Sequence, residues 1–286
     1  MRNYLKKKKY VLKSKIVCIG RNFKSPFIHI PPNLSWIFIF GCYNSGTTLL
    51  NHILSGHPEI SGLKGEGVDY TKYLEKPEDY YWPRMWLKCE KEMLVDEKKW
   101  VEEKIKKDWL IYHDVSRKYL IEKSVSNTSR IEWFKEHFNN PTFIGMIRNG
   151  YAVVEGIRRR TKGKLPHKNP FYRENEYPLE LCIKQWVRSN ELIYKHFKNY
   201  NNSVLIKYED LTNNPEKELN KIYKLLKINN VDLKSDINFN FHNKKYSKIK
   251  NMNIASINNL DEYDIKLINK MAGQELLKYN YEVIEI

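Results

Sequence analysis

An unbroken apolar run, Trp36-Ile37-Phe38-Ile39-Phe40, leads straight into Gly41-Cys42-Tyr43-Asn44-Ser45-Gly46-Thr47-Thr48 and then into Leu49, Leu50, Ile53 and Leu54. A strand without a polar position must be covered on both faces, which is the setting of a central strand in a parallel sheet. The residues after the loop return to one face of a helix, and Gly56-His57-Pro58 ends it. Strand, glycine-flanked loop and helix are therefore predicted in direct succession. Such a junction leaves backbone N–H groups unpaired at the positive end of the helix dipole, and so makes a ready anion site.

Gly41 and Gly46 have the glycine spacing of the phosphate loop G-x-x-x-x-G-K-[ST], but the lysine slot holds Thr47, with Thr48 next. Metal–nucleoside triphosphate chemistry needs that lysine on the β- and γ-phosphates. The loop reads as phosphate-binding, and a kinase or other NTPase ranks lower. Further strands are expected at Tyr119–Glu122, Thr142–Ile147 and Ser203–Ile206, with helices near 129–138, 151–160, 178–198 and 215–227. Strands alternating with helices give an α/β fold with a parallel sheet and helices on both sides. Residues 1–34 read as a basic leader and 35–286 as the main domain. The Tyr-, Trp-, Lys- and Glu-rich segment 68–116 reads as a helical insertion that covers the site as a substrate lid.

Lys and Arg total 50 against 34 Asp and Glu, a formal net charge of +16. That surplus favours anionic partners, whether nucleic acid, phosphorylated or sulfated small molecules, or an anionic surface. No signature of a nucleic-acid-binding module accompanies it, so no nucleic acid is expected. Cys18, Cys42, Cys89 and Cys182 form no CxxC pair, which suggests neither a zinc site nor a disulfide framework. With no apolar run long enough to span a membrane and no signal peptide seen, a cytoplasmic location is expected.

The run Asn44-Ser45-Gly46-Thr47-Thr48-Leu49-Leu50 resembles the 5′-phosphosulfate loop of sulfotransferases that use 3′-phosphoadenosine 5′-phosphosulfate (PAPS), usually (Lys/Arg)-Ser-Gly-Thr-Thr. His57-Pro58-Glu59-Ile60 and Gly65-Glu66 are similar to a stretch of tyrosylprotein and bacterial-type members. Phe143–Arg160 looks like the 3′-phosphate motif, a strand ending in Arg-Asn-Gly and opening a helix. Lys207-Tyr208-Glu209-Asp210-Leu211 with Pro215 matches the family's YEDL…P pattern, and Tyr246-Ser247-Lys248-Ile249 resembles its C-terminal cofactor loop. The motifs run in family order over about residues 35–285 and stand nearest to tyrosylprotein, bacterial-type and carbohydrate sulfotransferases.

The resemblance implies a P-loop NTPase-like three-layer α/β/α domain that moves a sulfuryl group from PAPS to a hydroxyl or amine and releases PAP, with no metal. A carbohydrate and a tyrosine are the leading acceptors. The implied donor site is Asn44, Ser45, Gly46, Thr47, Thr48, Arg148, Arg160, Tyr208 and Ser247. Glu66 is the implied base and Lys123 the cation beside the transferred group; His113 is a rival base. Helix N-capping is a second role for the threonines, and a core position a second role for Tyr208. Two positions depart from the pattern. Asn44 stands where the family has Lys or Arg, so another cation such as Lys64 or Lys123 substitutes, or the rate is low. Gly156 stands where the family has a 3′-phosphate serine, removing a hydroxyl contact worth about 0.5–1.5 kcal/mol. A catalytically impaired PAP- or nucleotide-binding protein is therefore the alternative.

Overall fold

The computed structural model describes residues 28–95, 101–231, 239–241, 244–246 and 249–286. Most of the basic leader and Ser247 lie outside the described residues. The first apolar run forms β1 (Ser35–Gly41) and the helix after the loop is α1 (Thr47–Ser55). They are followed by β2 (Ile60–Gly62), α2 (Val101–Leu110), β3 (Tyr119–Glu122), α3 (Ile131–His137), β4 (Thr142–Ile147) and α4 (Gly150–Thr161). The chain continues through α5 (Leu179–Phe197), β5 (Ser203–Lys207), α6 (Tyr208–Asn213) and α7 (Pro215–Leu226). A short antiparallel pair, β6 (Phe239–Phe241) and β7 (Lys244–Tyr246), precedes α8 (Asn253–Ile257) and α9 (Glu262–Lys278).

The five-stranded sheet has the order β2-β3-β1-β4-β5, and all four pairings are parallel. Strand alternation divides the core in two. Ile37 and Ile39 face Leu50, Ile53 and Leu54 of α1 and Leu219 and Ile222 of α7. Trp36, Phe38 and Phe40 face an aromatic layer with Trp109, Phe134, Phe138 and Phe143, extended by residues of α4, α5 and α9. Phe38 and Phe134 meet with ring centroids 4.3 Å apart. Helices thus cover both sheet faces, giving the three-layer α/β/α architecture.

The strand order places the functional end. From β1 the chain crosses to β2 on one side; from β4 it crosses to β5 on the other. A crevice opens at the carboxyl ends of adjacent strands whose connections diverge in this way, and ligands bind there. The loop after β1 and the turn after β4 share that crevice. The segment 68–116 carries less helix than expected: α2 is its one α-helix among the described residues, the rest being 3-10 turns and irregular chain. Pro77 and Pro83, with left-handed Tyr81 (φ 66) and Arg84 (φ 59), interrupt any helix there. Its Met85, Trp86, Cys89 and Met93 are buried in the aromatic layer.

Candidate active site

The loop after β1 turns through two left-handed residues, Asn44 (φ 64) and Gly46 (φ 100). Asparagine is among the few side chains at ease there, and glycine is unrestricted. Gly41 is demanded by close approach, since a Cβ on it would lie 2.6 Å from Ser45 Oγ and 2.8 Å from the Met146 carbonyl. Gly46 is the N-cap of α1, with no side-chain cap, and no acidic residue occupies the first turn. Thr47 and Thr48 are therefore helical residues, not caps. Thr47 is buried and Thr48 exposed. The helix N-terminus keeps its free N–H groups and its positive potential.

Arg148 follows β4 and reaches back to this loop. Its Nη1 donates to the Asn44 carbonyl at 2.8 Å and its Nε to Asn253 Oδ1 at 2.8 Å. The guanidinium lies 4.1 Å over the Tyr208 ring. The other face of the loop is set by the same ring, because a Cβ on Gly46 would fall 2.7 Å from Tyr208 Cδ2. Tyr208 is 4% exposed, and its hydroxyl donates to the Lys250 carbonyl and accepts from Met252 N–H. It stands in the core between the loop and Arg148. Burial pulls the Arg148 guanidinium below its ordinary pKa, with Tyr208 and Glu209 opposing the shift. Glu209 was not singled out in the sequence, although it lies inside the YEDL run. It accepts from Asn149 N–H at 2.9 Å, Asn253 Nδ2 at 2.6 Å and the Tyr281 hydroxyl at 2.9 Å.

Glu66 and Lys123 come together from different strand ends. Lys123, immediately after β3, donates from Nζ to Glu66 Oε1 at 2.9 Å, and Val125 N–H donates to Glu66 Oε2 at 3.4 Å. The Lys123 side chain is 4% exposed and that of Glu66 32%. A second, fully buried carboxylate fixes the backbone beside Glu66. Glu122 accepts from Gly67 N–H at 3.0 Å, from the Ser124 hydroxyl and from Asn127 Nδ2 at 2.8 Å. Trp109 Nε1 donates to the Gly67 carbonyl at 3.0 Å. Burial pushes the Glu122 carboxyl up, and hydrogen bonds from Ser124 and Asn127 only partly offset that. Tyr43, in the loop, is buried and feels the Glu66 charge. Burial pushes its phenol well up, and the carboxylates of Glu78 and Glu66 add to the shift.

The remaining candidates fall in different places. His113 is buried, its Nδ1 is 3.1 Å from Ser61 Oγ, and its ring stands edge-on to Trp36 at 5.7 Å. Trp36 is the second residue of β1, so the imidazole lies toward the opposite end of the strand, roughly 16 Å from the loop at 3.3 Å per residue. Burial pushes its pKa down to about 4. The structure does not bring it to Glu66 and Lys123. Arg160 is on α4 one turn beyond Gly156, so both lie on one helix face. Position 156 faces the loop, since a Cβ there would sit 3.0 Å from Asn44 Nδ2. Lys64 is exposed, and Lys123 is paired with Glu66. Beside Arg148 on the Asn44 carbonyl, the cation that meets the Asn44 side chain is one the sequence reading missed: Arg84 Nη2 donates to Asn44 Oδ1 at 2.8 Å.

Four buried side-chain atoms able to donate a hydrogen bond lack any partner around this loop: Asn44 Nδ2, Ser45 Oγ, Arg84 Nε and Arg148 Nη2. Buried donors are normally paired, so their concentration beside an uncapped helix N-terminus marks the place of an anion. Among the described residues no group of three or more His, Cys, Asp and Glu is placed to hold a metal. The described cysteines, Cys42, Cys89 and Cys182, are buried free thiols.

Comparison with known proteins decides the family. The sulfotransferase family profile matches residues 36–232. The chain belongs to the sulfotransferase family. Protein-tyrosine sulfotransferase 1 of Danio rerio is 25% identical over 218 residues, 73% of this chain and 57% of that protein. Protein-tyrosine sulfotransferase of Drosophila melanogaster is 24% identical over 203 residues, 67% of this chain and 38% of that protein. The match thus spans between about a third and three-fifths of these relatives' length. Among solved structures, a sulfotransferase from Alicyclobacillus acidocaldarius superposes with a TM-score of 0.52 at 12% identity, covering 89% of this chain and 98% of that one. The sulfotransferase domain from the curacin biosynthetic pathway gives 0.50 at 17% identity, covering 88% and 99%. These likenesses bear out the expected fold. Among the described residues no helix is long and apolar enough to cross a membrane.

Proposed function

We propose that this sulfotransferase-family chain moves a sulfuryl group from PAPS to a hydroxyl acceptor at the crevice between β1 and β4. The observation that carries this reading is the set of unpartnered buried donors, Asn44 Nδ2, Ser45 Oγ, Arg84 Nε and Arg148 Nη2, around an uncapped helix N-terminus. The donor's anionic groups are the chemistry those atoms fit. The loop 44–48 would hold the 5′-end, and Arg148, with Arg160 one turn past Gly156, the 3′-phosphate. Tyr208 would serve by pinning Gly46 and Arg148. Ser247 keeps its assignment from resemblance alone, as it lies outside the described residues.

When bound, PAPS supplies an electrophilic sulfuryl group on a phosphate leaving group. Glu66 accepts the proton of the acceptor hydroxyl as its oxygen bonds to sulfur. Lys123 holds the Glu66 carboxylate in place and would offset the negative charge that collects on the sulfuryl oxygens and the departing phosphate. Residues 68–116 shape the acceptor's approach, as Arg84 of that segment touches the loop. The names of the matched relatives make a tyrosine side chain the first acceptor to try, with glycans, phenols and amines beside it. The buried free thiols fit the reducing, cytoplasmic setting expected from the sequence.

Loss of the loop cation at Asn44 and of the hydroxyl at Gly156 favours a second reading, a protein that binds PAP or PAPS without efficient transfer. Two measurements separate the readings. PAP at a hundredfold excess over its dissociation constant should stabilise the fold by about 2.7 kcal/mol, and Arg148→Ala should remove most of that shift. Labelled PAPS incubated with tyrosine peptides, glycans, phenols and amines should then yield a sulfated product. Absence of a shift at saturating PAP refutes the donor assignment; a shift without product supports the binding protein.

A further inference from the structure

We propose that Arg84 is a donor-binding residue, whose guanidinium supplies from outside the loop the positive charge that position 44 lacks. This rests on the PAPS reading above and names a residue for the donor's 5′-anion that lies in none of the sequence motifs.

Three observations converge on it. First, Arg84 is aimed at the loop by a built turn. The Tyr81 carbonyl accepts from Asn169 Nδ2 at 2.7 Å and the Pro83 carbonyl from the Tyr177 hydroxyl at 3.0 Å. Trp86, just beyond, is completely buried. Arg84 itself is left-handed at φ 59, a conformation that a long side chain adopts only when its surroundings enforce it. Second, the guanidinium is bonded to an amide and, among the described residues, not to a carboxylate. Nη2 donates to Asn44 Oδ1 at 2.8 Å, the group lies 5.2 Å over the Tyr43 ring, and Nε is buried without a partner. The contact itself neutralises no charge and leaves one donor idle beside the loop, while the Glu78 carboxylate accepts from the Arg84 backbone N–H at 3.4 Å. Third, the two departures at Asn44 and Gly156 are one packing event. A Cβ at position 156 would lie 3.0 Å from Asn44 Nδ2, 3.1 Å from Cγ and 3.2 Å from Cβ. The glycine makes room for the amide, and the amide presents its oxygen to Arg84. An asparagine bonded in this way connects the loop to an external cation, where a lysine at position 44 would carry the charge itself.

A merely structural staple between the 68–95 segment and the loop would show none of the ligand selectivity that follows. Titration calorimetry with PAP and with adenosine 3′-phosphate, which lacks the 5′-group, separates the two. Arg84→Gln should weaken PAP about tenfold or more, the scale of a lost charge-assisted hydrogen bond, and leave adenosine 3′-phosphate within about twofold. Arg84→Met, which keeps the aliphatic stem against Tyr43, repeats the measurement should the glutamine variant fold poorly. Arg84→Lys should retain most of the PAP affinity, and Asn44→Lys in the Arg84→Gln background should recover part of it by returning charge to the loop. Equal losses for both ligands, or no loss for PAP, overturn the proposal while leaving the donor reading intact. Wild-type protein that binds neither ligand overturns both.

Discussion

Gly46→Ala tests whether the loop is held as rigidly as its contacts require. The residue sits at φ 100, where alanine pays about 1–2 kcal/mol for the left-handed backbone. The new methyl would also fall 2.7 Å from Tyr208 Cδ2 and 3.3 Å from Cε2. The ring cannot step aside freely, because its hydroxyl is bonded to the Lys250 carbonyl and Met252 N–H and its face carries Arg148. Overpacking of this kind costs about 1–3 kcal/mol. The two effects together predict a loss of about 2–5 kcal/mol, or a fall in Tm of about 3–8 °C for a chain of this size. Chemical denaturation at constant m measures the first quantity and calorimetry the second. PAP binding should fall with it, since displacing Tyr208 moves Arg148. A variant within about 0.5 kcal/mol of wild type would refute the account of Tyr208 as the wall of the loop. A destabilised variant with wild-type PAP affinity would refute the coupling between that wall and Arg148.

Glu66→Gln preserves the side chain's size and its ability to accept from Lys123, yet removes the proton acceptor; transfer should fall about 10²–10⁴-fold with PAP binding nearly unchanged, as read by a labelled-PAPS assay beside calorimetry. His113, held neutral by burial with its pKa pushed down to about 4, carries stability that is present above its unfolded value and lost as pH falls from about 6.5 to about 4. Denaturation curves across that window should show His113→Gln losing less stability than wild type on acidification; identical pH profiles refute the assignment. The same variant should keep transfer activity wherever it folds, because His113 lies at the far end of β1 from the loop.

The elements legible in the sequence were those whose residues answer to a local rule. β1, β3 and β4 are continuous apolar runs, and the sheet bounds them close to where the pattern ends. Arg148 was readable because a strand's carboxyl end followed by Asn149 and a helix is a local arrangement; Asn149 does cap α4, accepting from Ala152 N–H at 3.4 Å. β2 was not readable, since three residues inside Ile60–Gly62 give no alternation to detect. Helix α9 was missed because its fully interior side chains, Ile268, Ala272 and Leu276, make only a narrow stripe. The pairing of Glu66 with Lys123 follows from strand order, as β2 and β3 are neighbours in the sheet, and order is set by the whole chain.

Arg84 marks the limit of that local reading. It follows Pro83 in an irregular turn, belongs to no periodic face, and is held at the loop by Asn169 and Tyr177 acting on its neighbours' carbonyls. Nothing near it in sequence announces an anion site. Its meaning comes from Asn44, which alone looks like a lost cation, and from Gly156, which alone looks like a lost hydroxyl. Placed in contact, the three residues describe one rearrangement: the absence of a side chain at 156 admits the amide at 44, and the amide takes hold of an arginine from the 68–95 segment. If donor binding needs that contact, the order of events is constrained as well. The 68–95 segment must be in place before the 5′-anion is fully held. Variants that loosen the Tyr81–Pro83 turn, such as Tyr177→Phe, should then weaken PAP without touching any residue of the loop itself.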